Sequence, residues 1–413
     1  MKRLLFTIIL VICGSGTIIG YDYPARDCQG SLKPYPIPTE EYVINPDTLT
    51  PIFINHLGRH GSRYQAGSYF TMVLYKHFQV ADSLNSITPL GEQFKLVIEE
   101  VIDRTGNRWG ALSDLGIAEH QGIAERMYHN YEDLLKCSTI KAEATKSPRA
   151  IQSMFSFTHR LTELSNAIEL TTTSGHCNTP ELMYFEESAA YIDYIKGDDW
   201  KKVYNKYVKE ILPTEPIKRL LGANYPFTPE LLNDLALYEY YLITGMESMQ
   251  MEFDYTPYMS LEELNSLWSI FSLRQYLQRT ASTVSDIPAD IAAPLLMDIV
   301  AVGDSVVNGR LDIQAQLRFA HAETLMPLFS LLRLDNCYYK THYFDTVANH
   351  WCDFQVVPMS ANLQIIYLKS DSGEMYVRFD MNEIPIILPG YNSVYNKWKD
   401  VRAYLLTCLP VVI

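Results

Sequence analysis

Residues 51–56, Pro-Ile-Phe-Ile-Asn-His, form a short run without the polar alternation of a half-exposed strand. Such a run reads as a β-strand buried on both faces, and a strand of that kind needs helices on each side of its sheet. The rest of the chain supplies them. Phe94, Val97, Ile98, Val101 and Ile102 recur at helical spacing, and Gly106 closes that helix. A second helix is predicted over 115–135, capped by Ser113 or Asp114. Residues 140–145 alternate like a strand, Ser147-Pro148 breaks it, and a helix follows over 150–168. Further strands are expected at 181–185 and 316–321, the latter ahead of a helix over 324–332. Residues 364–368 and 375–379 make a hairpin across Ser370-Asp371-Ser372-Gly373. From Glu186 to Ala301 Tyr and Leu pairs, Glu-rich turns and helix-like spacing dominate with no convincing strand, and Thr171-Thr172-Thr173-Ser174 is a short low-complexity patch. The expected architecture is an α/β fold with a mostly parallel central sheet flanked by helices. Its core would comprise 21–185 and 302–413, with a helical cap at 186–301.

Residues 1–20 read as an address. Lys2 and Arg3 precede an unbroken apolar run from Leu4 to Cys13 and the small residues Gly14-Ser15-Gly16, the build of a signal peptide cut near Gly20. An uncleaved anchor is the alternative, because the stretch nears the lower length limit of a membrane span. No other stretch is apolar enough to cross a membrane. Six cysteines lie beyond the leader, an even number that permits up to three disulfides in an exported chain. No Asn-x-Ser/Thr acceptor occurs, which leans towards a bacterial periplasm over a eukaryotic secretory route. The expected location is periplasmic or secreted. Against 34 Lys and Arg stand 48 Asp and Glu, a net charge of −14, which argues against a nucleic-acid partner.

The chemistry concentrates behind the first strand, in Arg59-His60-Gly61-Ser62-Arg63-Tyr64. Ligands of open α/β sheets bind beyond the carboxyl ends of strands. Two guanidiniums suit phosphate oxygens, and a histidine held between them favours its neutral, nucleophilic form. Gly61 lets the backbone turn tightly and approach a ligand. Arg149 follows the end of the 140–145 strand, and His321-Ala322-Glu323 follows the end of the 316–321 strand. Covalent hydrolysis of a phosphomonoester needs such parts: a nucleophile, donors to the equatorial oxygens and an acid for the leaving alkoxide.

These motifs resemble the histidine acid phosphatases, clade 2 of the histidine phosphatase superfamily. His-Ala-Glu, where most members carry His-Asp, resembles the multiple inositol-polyphosphate phosphatases. The resemblance spans about Ile52 to Glu323. It implies an α/β core with a helical cap and a metal-independent phosphohistidine mechanism that needs no cofactor. It makes His60 the nucleophile and Glu323 the proton donor, with Arg59, Arg63, Arg149 and His321 holding the phosphate. The implied substrate is a small anion, inositol hexakisphosphate (phytate) or a related inositol polyphosphate. Gln65 departs from the family's proline two residues after the second arginine, which is expected to loosen the loop. Lys146, Arg26 and Lys33 are candidates for an outer ring around the remaining phosphates.

Other readings of the same chain are weaker. His56 and His60 stand four apart, but Leu57 occupies the position where a zinc protease needs Glu, and the segment reads as a strand. Ser62 lacks a nucleophile elbow, and Glu99-Glu100 and Glu186-Glu187 read as solvated surface. The functional alternatives are a broad-specificity acid or sugar phosphatase, a non-catalytic exported binding protein, and a phosphoglycerate-mutase-type transferase. The oligomeric state is not legible.

Overall fold

The computed structural model describes residues 22–39, 42, 43 and 45–410, so the 1–20 leader lies outside the described residues. One eight-stranded sheet contains β1 (Leu49–Arg59), β2 (Thr139–Ala144), β3 (Glu169–Ser174), β4 (Ala315–Ala320), β5 (Asn362–Ser370), β6 (Met375–Met381), β7 (Ile384–Ile386) and β8 (Asn396–Lys397). The order is β3-β2-β4-β1-β5-β6-β7, and β8 pairs with β6. Strands β1 to β4 run parallel, while β5 to β8 extend the sheet as an antiparallel ribbon. The α/β fold expected from the sequence is the one observed. Because β4 returns between β1 and β2, the chain reverses its winding there, which opens a crevice at the carboxyl ends of β1, β2 and β4.

The two-faced burial of β1 is literal. Phe53 and Leu57 face one apolar layer with Leu296, Ile299, Leu325 and Phe329. Ile54 faces the other, with Ile123, Met127, Phe157 and Phe319. A third apolar cluster joins the helices Tyr69–Ser83 and Pro89–Thr105 to the long helices Pro229–Thr244 and Leu261–Arg279, through Phe78, Phe94, Leu235 and Trp268. No strand occurs between β3 and β4.

One local reading is corrected. Residues 181–185 form no strand but belong to the short helices Thr179–Leu182 and Tyr184–Glu187. Pro180, in the first turn of the earlier one, favours a helix start. The threonine patch lies in β3, a largely exposed edge where β-branched residues fit the pleat. The six cysteines that permitted disulfides are all free thiols. Cys28 and Cys352 donate instead to the carbonyls of Tyr23 and Ala348. Among the described residues no helix is long and apolar enough to cross a membrane.

Beneath the carboxyl end of β1, His56 and His120 are both fully buried against Phe319. Burial lowers each imidazole to about 3, and for His120 the neighbouring His56 adds to the effect. The unfolded chain binds these protons near pH 6.5, whereas the folded chain refuses them until about pH 3, so stability falls as pH drops through that window. The loss is about 2 kcal/mol per histidine at pH 5. His56→Leu should therefore flatten the acid limb, losing about 2 kcal/mol less than wild type between pH 7 and 5 in urea unfolding. Parallel limbs for the two proteins would refute this origin of acid lability.

Candidate active site

β1 delivers Arg59 and His60 to the crevice. The Arg59 N–H donates to the Ala361 carbonyl and the His60 N–H to the Ala320 carbonyl, at 2.7 and 3.0 Å. The loop then presses onto the first turn of the helix Asp114–Asn130. A Cβ on Gly61 would stand 2.7 Å from the Gly116 carbonyl oxygen, and one on Gly116 would stand 2.2 Å from that of Ser62. Gly61 is thus required for close approach to a helix rather than to a ligand. Glu119, one turn further along, accepts from the Ser62 N–H at 2.8 Å, the Ser62 hydroxyl at 2.7 Å, the Ser360 hydroxyl at 2.8 Å and the Tyr35 N–H at 2.9 Å. Ser62 is therefore committed to holding the loop.

Arg59, His60, Arg63, Arg149 and Glu323 line one cavity of about 610 Å³. His321 stands directly behind, its ring 5.6 Å from that of His60. Nδ1 of His60 lies 3.0 Å from the Gly61 carbonyl. A carbonyl can only accept, so Nδ1 carries the proton and Nε2 keeps its lone pair. Burial, then Arg149, Arg59, His321 and Arg63, hold the His60 imidazole neutral, well below its ordinary range. His321 is lowered to about 3 by burial and Arg149. The Arg149 Nη2 meets its Nδ1 at 3.4 Å, so its Nε2–H donates to the Thr145 hydroxyl at 3.0 Å.

The guanidiniums crowd one another. Burial and then Arg63 lower Arg59 to about 9 and Arg149 to about 10. Arg59 is held by the carbonyls of Ser31 and Val357, at 2.5 and 2.6 Å. Arg149 occupies the first turn of the helix Pro148–Leu164, an end that favours anions. Keeping a cation there makes sense if an anion completes the site. The Nε–H groups of Arg59, Arg149 and Arg279 are buried without a hydrogen-bond partner among the described residues. Three guanidiniums, each with an unused donor, border one cavity, which suits it to an anion.

The outer ring is not the one expected. Lys146 pairs with Glu186, Arg26 with Glu247 and Lys33 with Asp27, so each lysine or arginine named from the sequence is already neutralised and none lines the cavity. The wall is formed instead by the helix Leu261–Arg279, through Arg274, Gln275, Gln278 and Arg279. These are two i, i+4 pairs on one face, a polar stripe on an otherwise buried helix that sequence inspection passed over. Gln65 is also corrected. Its amide donates to the Tyr241 and Leu242 carbonyls at 3.3 and 3.2 Å, tethering the loop to the last turn of Pro229–Thr244 where a proline could donate nothing. His56 lies in β1, so four residues of extended chain keep it roughly 13 Å from His60, too far to share a metal.

A buried neutral histidine, ringed by arginines at the strand ends of an α/β sheet, defines an anion site built for phosphoryl chemistry. Residues 52–382 match the model of the histidine phosphatase superfamily, branch 2, and the chain belongs to that family. It is accordingly a phosphatase. No curated protein matches. Among solved structures, the Bifidobacterium longum multiple inositol polyphosphate phosphatase in complex with inositol hexasulfate is similar at TM-score 0.81 and 17% identity, over 94% of this chain and 99% of that one. The phytase from D. castellii is similar at TM-score 0.69 and 14% identity, over 93% and 85%. At these identities the likeness shows a shared fold.

The glycine contact is testable. Gly116→Ala drives a methyl into loop backbone that cannot rotate away, and should cost about 1–3 kcal/mol in unfolding free energy. Phosphatase activity should fall with it, because the displaced strand of backbone carries His60 and Arg63. Full stability and activity in Gly116→Ala would show that the loop yields freely.

Proposed function

We propose that this phosphatase hydrolyses inositol polyphosphates through a phosphohistidine on His60. The observation that carries the reading is the neutral His60, with Nδ1 fixed to Gly61 and Nε2 without a partner among the described residues, at a cavity ringed by guanidiniums. In the first half-reaction Nε2 bonds to phosphorus as the P–O ester bond breaks, and the leaving oxygen takes a proton from the Glu323 carboxyl. Arg59, Arg63 and Arg149 spread the charge on the equatorial oxygens, and His321, its two ring nitrogens engaged by Arg149 and Thr145, holds Arg149 in place from behind. The Nδ1–H bond to Gly61 stabilises the phosphoimidazolium. In the second half-reaction a water oxygen attacks phosphorus, its proton returns to Glu323, and the N–P bond breaks to release inorganic phosphate.

Three observations support a polyphosphorylated substrate. The cavity's size lies within the range of about 300–1,000 Å³ usual for ligand sites. Its far wall brings two further arginines, Arg274 and Arg279. The structurally similar B. longum enzyme is named for inositol polyphosphates and was solved with inositol hexasulfate. A broad-specificity phosphatase is favoured by one feature, the aromatic flank of Tyr238, Tyr241 and Phe271, which would accept an uncharged ring.

Phosphate release from inositol hexakisphosphate with EDTA present, beside an aryl phosphate, separates these readings. Preference for the hexakisphosphate is expected, whereas turnover of the aryl ester alone would leave the mechanism and discard the substrate. His60→Ala should abolish turnover of both while still binding inorganic phosphate. Glu323→Gln should slow the inositol ester by about 10²–10⁴-fold and the aryl ester far less, since a phenolate leaves unaided. Equal losses on both would remove Glu323 from the acid role.

A further inference from the structure

Within the cavity Glu323 is engaged by a neighbouring side chain. Its Oε1 accepts from Arg279 Nη2 at 3.0 Å. Burial alone would raise this carboxyl, but Arg279, His321 and Arg59 together hold it well below the usual carboxylate range. Arg63 and Arg149 face it from the loop and the helix Pro148–Leu164, and Tyr191 faces it from the cap side. A residue needed as an acid is therefore stored as an anion. Arg279 is the last residue of its helix, and its remaining contacts are long: Nη1 meets the Tyr191 hydroxyl and Gln278 Oε1, each at 3.4 Å, and Nε has no partner among the described residues. Arg274 lies on the same wall, exposed and with no ion-pair partner among the described residues.

Resting on the phosphatase reading above, we propose that Arg279 is a positioning residue that couples the acid to the charge of the substrate. A second phosphate, vicinal to the one being cleaved, draws Arg279 off Glu323 and frees the carboxyl to take up and donate a proton. The vicinal placement follows from reach. Glu323 must come within hydrogen-bond distance of the leaving oxygen, and Arg279 stands one such distance beyond Glu323. A phosphate that captures the Arg279 fork, bidentate through the idle Nε–H, therefore sits on the neighbouring carbon. Arg274 is placed to share that phosphate's charge. Monophosphates leave the ion pair closed, so the device selects vicinal polyol phosphates through turnover and not through binding alone.

The wild-type enzyme gives a reading that needs no variant. The alkaline limb of kcat reports Glu323 in the complex. It is expected at least one pH unit higher with inositol hexakisphosphate than with glycerol 2-phosphate. Arg279→Gln should bring the two limbs together and narrow the preference in kcat for the hexakisphosphate by tenfold or more, a pKa unit being a factor of ten. Arg279→Lys, which keeps the charge, should recover part of the separation. Coincident limbs in the wild type would overturn the coupling, as would a folded Arg279→Gln that slows both substrates equally with the limbs in place. Wild-type protein that cleaves glycerol 2-phosphate and leaves the hexakisphosphate intact would overturn the inositol-polyphosphate reading together with the coupling.

Discussion

The structure is organised around a repulsion. Arg59, Arg63 and Arg149 line one cavity beside two imidazoles, and the fold holds these like charges together. Like charges at such range separate unless the backbone forbids it. Here it does: Arg59 is pinned by two main-chain carbonyls, and the loop that carries Arg63 is pinned by Glu119 and by the Gly61–Gly116 contact. The imidazoles respond by remaining uncharged, which is the state a nucleophile requires. Stability given up in the cluster is thus converted into a prepared site, as is usual where catalytic groups are preorganised.

The surrounding layers supply the rigidity. Asp353, buried beside Arg59, accepts from the Ser31 N–H and the Trp268 indole at 2.8 and 2.9 Å. It ties the N-terminal arm to the helix Leu261–Arg279, which also carries the far wall of the cavity. Gln65 makes a second tie, from the loop to the end of Pro229–Thr244. The N-terminal arm, the loop after β1 and the helices that wall the cavity are therefore joined by hydrogen bonds at two points, which fixes the backbone that carries the wall's arginines. The same dryness has a cost. His56 and His120 lie uncharged beneath the loop, so acid that would favour a protonated Glu323 also weakens the floor under His60.

Much of this was legible in the chain. A strand without alternation announced burial on both faces, and RHGSRY directly after it located the crevice, because a strand end in an open α/β sheet is where ligands bind. Arg149 and His321-Ala322-Glu323 could be attached to the same place since each also follows a strand. The outer wall was not legible in that way. Arg274 and Arg279 lie about 210 residues from the loop in sequence, and their spacing says only that they share a helix face. Lys146 and Arg26 looked available because the carboxylates that neutralise them, Glu186 and Glu247, come from distant segments, while Lys33 is paired locally with Asp27.

The sequence by itself determined the local elements and the inventory of reacting groups, because hydrophobic period, turn chemistry and the order of motifs are local properties of the chain. Only the tertiary structure decided which of those groups are free. The tautomer of His60, the ion pair that stores Glu323 as an anion, the tether made by Gln65 and the glycine-to-glycine contact all depend on atoms brought together from far apart. Hydrogen bonds and ion pairs act over about 3 Å, and that proximity is fixed by packing.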